Sequence, residues 1–204
     1  MKVIKMLDRI QKQMQSAREH FAHHKATYRQ FDGISTLDWR HESGTSNYYV
    51  RYVFDENRCK LYISGDLGSA VFCLTEKALL PSLAMYSVDY FLKKLECSTD
   101  KYRYDTEAAK EELEEELLSD DEELTEEEIE ERKELISDLL SGLNWIDGWR
   151  PSDDATDRLS EICPCYWEWL YRVGEYIDDR VILWLVGMNM AYEQLRKDKR
   201  NVTS

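Results

Sequence analysis

The first thirty residues carry a hydrophobic pattern with the period of a long helix. Apolar side chains recur every seven residues in two rows, and the second row begins three places after the first. The rows are Leu7, Met14, Phe21 and Tyr28, and Ile10, Ala17, His24 and Phe31. With Gly33 as a stop, the pattern predicts one helix over residues 3–31. Because Ala17 and His24 are weak coiled-coil contacts, we expect packing within the chain, with self-association through the heptads as the alternative.

An alternating pattern of apolar and polar side chains follows, and it predicts an antiparallel β-meander. Four short strands are expected, at residues 37–42, 48–54, 59–64 and 69–74. Glycines in the segment Gly65–Gly68 suit the tight turn between the last two of them. Such a sheet needs a helix over one face, and residues 81–95 have a broad apolar face that could cover it.

Two acidic helices are predicted next. The first covers residues 106–118. Thr125 and Glu128 have the spacing of a capping box, which marks the start of a second helix that continues to residue 143. The segment 105–143 is therefore interpreted as an acidic helical hairpin.

The C-terminal third is rich in aromatic residues and is predicted to be helical. Five of the six tryptophans lie there, namely Trp145, Trp149, Trp167, Trp169 and Trp184. Residues 181–195 are apolar on most sides, which is typical of a helix at the centre of a core. The basic residues that follow it suit a helix C-terminus.

These elements predict an α+β fold in three segments. Residues 1–104 hold the long helix, a small antiparallel meander and its covering helix. Residues 105–143 form a protruding acidic arm, and residues 144–204 form a Trp-rich helical part that completes the core. A hydrophobic content of 43% is enough to bury such a core.

The negative charge is concentrated in one window of thirty residues. From Asp105 to Glu134 there are seventeen acids against three bases, a net charge of −14 that equals the net charge of the whole chain. A local field of this kind attracts basic partners and repels phosphate. Direct binding of nucleic acid through this window is therefore excluded.

The spacing of these charges is close to that of a nucleic-acid strand. Thirty helical residues would extend ~45 Å at a rise of ~1.5 Å, which gives about one net charge per 3 Å. A nucleic-acid strand has one phosphate per ~3.4 Å. The arm could therefore occupy a basic groove built for nucleic acid. The residues expected to face such a partner are Glu111, Glu112, Glu115, Glu122, Glu123, Glu126, Glu127 and Glu130.

Other candidate chemistries have weaker signatures, so an enzyme is the less favoured class and no cofactor or metal is predicted. Exposed glutamates lack the burial that shifts a catalytic pKa. His20 and His24 have zinc-compatible spacing on the predicted helix, but a charged helix surface is the preferred interpretation. Cys163 and Cys165 are spaced too closely for a zinc-finger Cys-x-x-Cys pair, and Cys59 and Cys73 lie in predicted strands, so these cysteines are expected to be small buried hydrophobic residues. Asp66, in the glycine-flanked turn, is the alternative site.

Targeting signals are not expected in this sequence. The N-terminus is polar and helical, and the longest apolar run, Val181–Val186, is far shorter than the ~20 residues of a membrane span. Five cysteines without paired spacing suit a reducing cytosol. We therefore expect a cytoplasmic protein that does not contact membranes.

Three segments of the sequence are distinctive: residues 47–54 (NYYVRYVF), 61–72 (LYISGDLGSAVF) and 184–195 (WLVGMNMAYEQL). These segments resemble uncharacterised phage and prophage proteins of Gram-positive bacteria. Small phage proteins of this kind include anti-CRISPR inhibitors, some of which are acidic mimics of nucleic acid. The resemblance implies a host-defence context and assigns a role to none of the residues.

The leading hypothesis is a phage-encoded, non-enzymatic inhibitor that binds a host nucleic-acid-handling protein, such as an RNA-guided CRISPR nuclease, through the acidic arm. One alternative is a nucleic-acid-binding or metal-dependent nuclease-type protein that acts through the sheet and the Gly65–Gly68 turn. Another is a homodimeric scaffold joined by the N-terminal heptads.

Overall fold

A computed structural model describes residues 2–98, 101–118 and 124–202. The fold is α+β, as predicted, with about 48% helix and 24% strand. The chain divides into two compact units. The first, here called the sheet unit, comprises Met1–Lys101 and Asp178–Ser204; the second, here called the acidic unit, comprises Tyr102–Ile177.

The sheet unit is built on six antiparallel strands whose order in the sheet follows the order in the chain. The strands are β1 His24–Gln30, β2 Ile34–His41, β3 Val50–Asp55, β4 Lys60–Gly65, β5 Ala70–Cys73 and β6 Leu95–Ser98. The four predicted strands correspond to β2–β5. Turns of three or four residues join β1 to β2, β3 to β4 and β4 to β5, and an eight-residue loop joins β2 to β3. Each of these strands pairs with its neighbour in the chain, and the register follows the alternation of buried and exposed side chains.

The prediction of one helix over residues 3–31 is wrong. Helix α1 spans Lys2–His20, and the chain then turns into strand β1. Residues 24–30 alternate buried or half-buried with exposed side chains, so they also have the period of a strand, and pairing with β2 decides between the two. Met6 and Leu7 of α1 are exposed, so self-association through this helix stays a prediction.

Helices cover one face of the sheet. The longest, α7 (Asp179–Val202), contacts α1, β1 and β2. It also contacts α2 (Leu80–Leu83) and α3 (Val88–Lys93), which stand where the sequence predicted a single helix over 81–95. That prediction is wrong because the Ser87 hydroxyl accepts a hydrogen bond from the Tyr90 amide and starts a new helix.

Aromatic side chains of the sheet pack against a glycine of α7. A Cβ atom at Gly187 would lie 2.8 Å from the Tyr52 hydroxyl oxygen and 3.1 Å from Cδ1 of Trp39. The fully buried Tyr52 donates a hydrogen bond of 2.8 Å to the Trp184 carbonyl. The glycine therefore allows the helix to approach the sheet closely enough for this bond to form.

The acidic unit is mainly helical. Its helices are α4 (Thr106–Leu117), α5 (Glu126–Ser141) and α6 (Asp153–Ile162), followed by two short 3-10 turns. Two small ribbons complete it: β7 (Tyr102–Tyr104) with β10 (Glu175–Ile177), and β8 (Leu143–Asn144) with β9 (Gly148–Trp149). The acidic helices and residues 144–177 thus belong to one unit.

A hydrophobic core holds these helices together. Trp149 lies in it, and its indole nitrogen donates a 2.9 Å hydrogen bond to the Val173 carbonyl. The buried residues of this core are Ala109, Leu113, Leu117, Leu135, Ile136, Leu139, Trp149, Ala155, Leu159, Leu170 and Val173. The acidic hairpin is therefore anchored through its inner faces, and its charged residues occupy the outer faces.

The chain leaves the sheet unit and returns to it at neighbouring positions. The Asp178 amide donates a 3.0 Å hydrogen bond to the Lys101 carbonyl. The next residues on each side form the β7–β10 ribbon, in which Tyr102 pairs with Ile177.

Candidate functional site

The candidate site is the outer surface of the α4–α5 hairpin. The two helices are antiparallel, and Arg132 of α5 donates a 2.8 Å hydrogen bond to the Leu117 carbonyl at the end of α4. The predicted capping box is present, since the Glu128 amide donates to the Thr125 hydroxyl and the Thr125 amide donates to the Glu128 carboxylate at 2.8 Å. These bonds to Thr125 lower the pKa of Glu128 and keep it charged.

Five of the eight predicted partner-binding residues are exposed. Glu111 and Glu115 are four residues apart on α4, so they share one face. Glu126, Glu127 and Glu130 are exposed in the first turns of α5. Because the helices are antiparallel, Glu115 lies at the same end of the hairpin as these three.

The electrostatics of that end are strongly negative. The last turns of α4 contain Glu114, Glu115 and Glu116 without a basic residue in the last turn, next to carbonyl groups that carry the negative end of the helix dipole. The acids that start α5 lie instead at the positive end of their helix, where they are stabilised. The hairpin therefore tolerates a dense group of carboxylates at one end.

Glu112 does not belong to this exposed group. Its side chain is half-buried, and one carboxylate oxygen accepts a 3.3 Å hydrogen bond from the Gly174 amide. Its carboxylate thus binds the backbone of its own unit, and a contact of Glu112 with a partner stays a prediction. Glu122 and Glu123 lie outside the described residues.

The folded hairpin is shorter and denser in charge than the linear estimate from the sequence. Helix α5 has 16 residues and a length of ~24 Å. Together α4 and α5 hold thirteen acids and three bases, a net charge of −10 along that length. One charge per about 2.4 Å lies between the values of ~3.4 Å for a single strand and ~1.7 Å for a duplex.

Acidity extends over the whole unit, which sequence reasoning missed. Residues 102–177 have 25 acids against 7 bases, a net charge of −18, whereas the rest of the chain has 16 acids against 20 bases, a net charge of +4. Helix α6 contributes the exposed Asp153, Asp154, Asp157 and Glu161. A groove of about 430 Å³ between α5 and α6 is lined by Glu128, Glu131, Glu134, Glu161, Arg132, Arg158, Leu135 and Ile162.

Asp66, the alternative site, has a structural role in the loops at the end of β4. Its carboxylate accepts a 3.0 Å hydrogen bond from the Tyr48 amide, and its own amide donates to the Tyr49 carbonyl at 2.9 Å. Tyr48 has a φ of 54°, a left-handed conformation that is unfavourable for a tyrosine. These bonds join two loops and hold Tyr48 in that conformation.

The histidines and cysteines lie in environments that differ from those the sequence predicted. Within the described ranges, there is no group of three His, Cys, Asp or Glu side chains that could hold a metal ion. His20 ends α1 and His24 begins β1, so the proposed i,i+4 pair does not share a helix. The prediction that Cys59, Cys73, Cys163 and Cys165 are buried is wrong: Cys73 and Cys165 are exposed, and Cys59 and Cys163 are half-buried. The fifth cysteine, Cys97, is exposed as well.

His24 has the most unusual environment among the histidines. Its side chain is 4% exposed between Phe21 and Trp39, and it faces His41 across the β1–β2 pair. Neither ring nitrogen makes a hydrogen bond of good geometry with the described residues, although the backbone of Asn47 and Tyr48 lies close to the ring. Burial is the main cause that lowers the pKa of His24; the backbone of Asn47 and Tyr48 offsets part of this, and His41 and His23 lower the pKa further.

This lowered pKa predicts acid sensitivity of the sheet unit. Unfolded His24 takes up a proton near its ordinary pKa of about 6.5, whereas folded His24 does so only at lower pH. The free energy of unfolding should therefore fall as the pH drops below about 6.5. Urea unfolding between pH 5 and 8 measures this slope. His24→Phe should flatten it and the exposed-residue control His20→Asn should not; equal slopes in all three proteins would contradict the assignment.

Two further findings concern the chain as a whole. Among the residues that the structure describes, the helices are all too short or too polar to span a membrane. Comparison with protein-family models, with curated proteins and with solved structures finds no match to this chain.

Proposed function

We propose that the acidic unit binds the basic nucleic-acid-binding surface of a host protein and blocks it without catalysing a reaction. The observation that carries this proposal is the net charge of −10 on two antiparallel helices ~24 Å long, fixed over a hydrophobic core. The resemblance to phage proteins supports a phage origin and action in the bacterial cytoplasm. An RNA-guided CRISPR nuclease is the first target to test.

Rigidity favours this use of the charges. A flexible acidic tail would lose conformational entropy on binding, whereas a packed hairpin presents its carboxylates already in position. Packed helices have axes ~8–10 Å apart, so the hairpin presents its acids on two adjacent helices. With one net charge per about 2.4 Å of length, the surface resembles nucleic acid in linear charge density as well as in sign.

Charge reversal tests the proposal. The triple variant Glu115→Lys, Glu127→Lys, Glu130→Lys changes three exposed side chains at one end of the hairpin. Loss of several charge–charge contacts should weaken inhibition of nuclease cleavage by at least about tenfold, and the inhibition by wild-type protein should fall as salt is raised. The measurement is DNA cleavage by purified nuclease and guide RNA over a range of inhibitor and salt concentrations.

The matched control reverses three exposed acids of the sheet unit, Asp8, Asp32 and Asp198, to lysine. This control has the same change in net charge, so it separates a local surface from a general effect of charge. Equal inhibition by the two variants would contradict the proposal. Far-ultraviolet circular dichroism and thermal midpoints within a few degrees of wild type would show that both variants are folded.

The uncovered face of the sheet supports a second candidate, a nucleic-acid-binding protein. Strands β1–β3 place the exposed bases Lys25, Arg29, Arg40 and Arg51 on that face, and Tyr62 of β4 is 37% exposed there. Bases and aromatic side chains on a sheet are the elements that bind single-stranded nucleic acid. Binding of a labelled oligonucleotide that is lost with Arg29→Ala and Arg40→Ala, but kept after reversal of the hairpin acids, would favour this candidate.

A further inference from the structure

Two cysteines of the acidic unit are in direct contact. Cys163 is the C-cap of α6, and its amide donates a 2.8 Å hydrogen bond to the Leu159 carbonyl. Cys165 precedes the 3-10 turn Tyr166–Glu168. The two Sγ atoms are 3.7 Å apart and share a hydrogen bond.

From this geometry we propose that Cys163 and Cys165 are a redox-active dithiol, which a low-molecular-weight disulfide oxidises to an intramolecular disulfide. Cys165 is exposed and Cys163 is half-buried, so a small oxidant can reach the pair from solvent. Elsewhere in the described ranges, the thiols Cys59, Cys73 and Cys97 share no hydrogen bond with another thiol. The contact between their sulfur atoms therefore distinguishes Cys163 and Cys165 from the other three cysteines.

The reaction is a balanced two-electron exchange. The thiolate of one cysteine attacks a sulfur of the small disulfide, breaks its S–S bond and releases one reduced thiol. The second cysteine, as thiolate, attacks the mixed disulfide and displaces the other half. The two cysteines lose two protons and two electrons, which leave on two molecules of reduced thiol.

Contact between the sulfurs favours the second step over accumulation of the mixed disulfide, because the attacking group is already in place. Closure shortens the sulfur separation from 3.7 Å to ~2.05 Å, so the end of α6 or the following turn must shift. Exposed disulfides in short loops are readily reduced, and oxidation should be reversible.

The protonation state of the two thiols controls the rate at which they are oxidised. The hydrogen bond to Cys163 raises the pKa of the Cys165 thiol, and the neighbouring negative charges raise it further. A higher pKa leaves less thiolate at neutral pH, so oxidation should accelerate as the pH rises.

The test is equilibration of the full-length protein in mixtures of reduced and oxidised glutathione, followed by an acid quench, alkylation and tryptic digestion. Cleavage after Arg158 and Arg172 releases residues 159–172 with both cysteines and none of the other three. We expect that neither cysteine of this peptide is alkylated, and that the peptide is lighter than its reduced, unalkylated form by the mass of two hydrogen atoms. The peptides with Cys59, Cys73 and Cys97 should remain mostly alkylated at the same ratio, and dithiothreitol should restore the reduced peptide.

Variants make the result specific. Cys163→Ser and Cys165→Ser should each abolish the two-hydrogen loss, and the control Cys73→Ser should retain it. The unmutated protein provides the primary readout, so the test does not depend on the folding of a variant. A peptide 159–172 that stays reduced, or that carries glutathione without closing, at ratios where Cys73 or Cys97 is already modified would overturn the proposal.

Discussion

Replacing Leu113 by alanine is expected to lower the free energy of unfolding of the acidic unit by about 3 kcal/mol. Leu113 is fully buried on the inner face of α4, within the core of that unit. The substitution removes three carbon atoms and leaves a cavity that the surrounding helices can only partly fill. Urea unfolding followed by tryptophan fluorescence measures this loss, because Trp149 lies in the same core.

The control for Leu113→Ala is Lys110→Ala, an exposed position on the same helix. Lys110→Ala should change the free energy of unfolding by less than about 0.5 kcal/mol. A loss below about 1 kcal/mol for Leu113→Ala would show that α4 is not packed. The hairpin would then be a loosely attached spacer, and the rigid charge array on which the proposed function depends would not exist.

Replacing Gly187 by valine is expected to destabilise the sheet unit by about 3 kcal/mol. A Cβ atom at this position already lies within 3.1 Å of Tyr52 and Trp39, two rigid and fully buried rings. Valine adds two more carbon atoms, so α7 must move away from the sheet and the Tyr52–Trp184 hydrogen bond is lost. Thermal and urea unfolding, followed by circular dichroism, measure the change.

Lys197→Val in the exposed part of α7 controls for the lower helix propensity of valine, which costs below about 1 kcal/mol. The loss in free energy of unfolding for Gly187→Ala should lie between the loss for Lys197→Val and the loss for Gly187→Val. Helix propensity alone would make alanine at this position more stable than glycine. A stabilised Gly187→Ala protein would therefore contradict the close approach of α7 to the sheet.

The sequence predicted best the elements with local signals. The capping box of Thr125 and Glu128 depends on residues three apart, and the structure contains both of its hydrogen bonds. Strands β2–β5 follow from side-chain alternation and short turns, which act over fewer than ten residues. Helix α7 was expected over 181–195, and the structure extends it to Asp179–Val202.

Features that depend on distant contacts were missed. Residues 24–30 satisfy both a heptad row and an alternating pattern, and only pairing with β2 makes them a strand. The sequence does not distinguish Glu112 from Glu111, because the amide that binds Glu112 belongs to Gly174, far along the chain. Gly187 likewise gains its role only when Tyr52 and Trp39 pack against α7.

The bond between Asp178 and Lys101 has a consequence for how this chain can change over evolution. Both ends of the intervening segment are joined as neighbours by this bond, so a change in the length of that segment does not have to alter the positions where the chain leaves and re-enters the sheet unit. Insertions and deletions there need not stretch or compress the sheet. Such a chain can exchange the segment between Lys101 and Asp178 for another while the sheet unit stays the same.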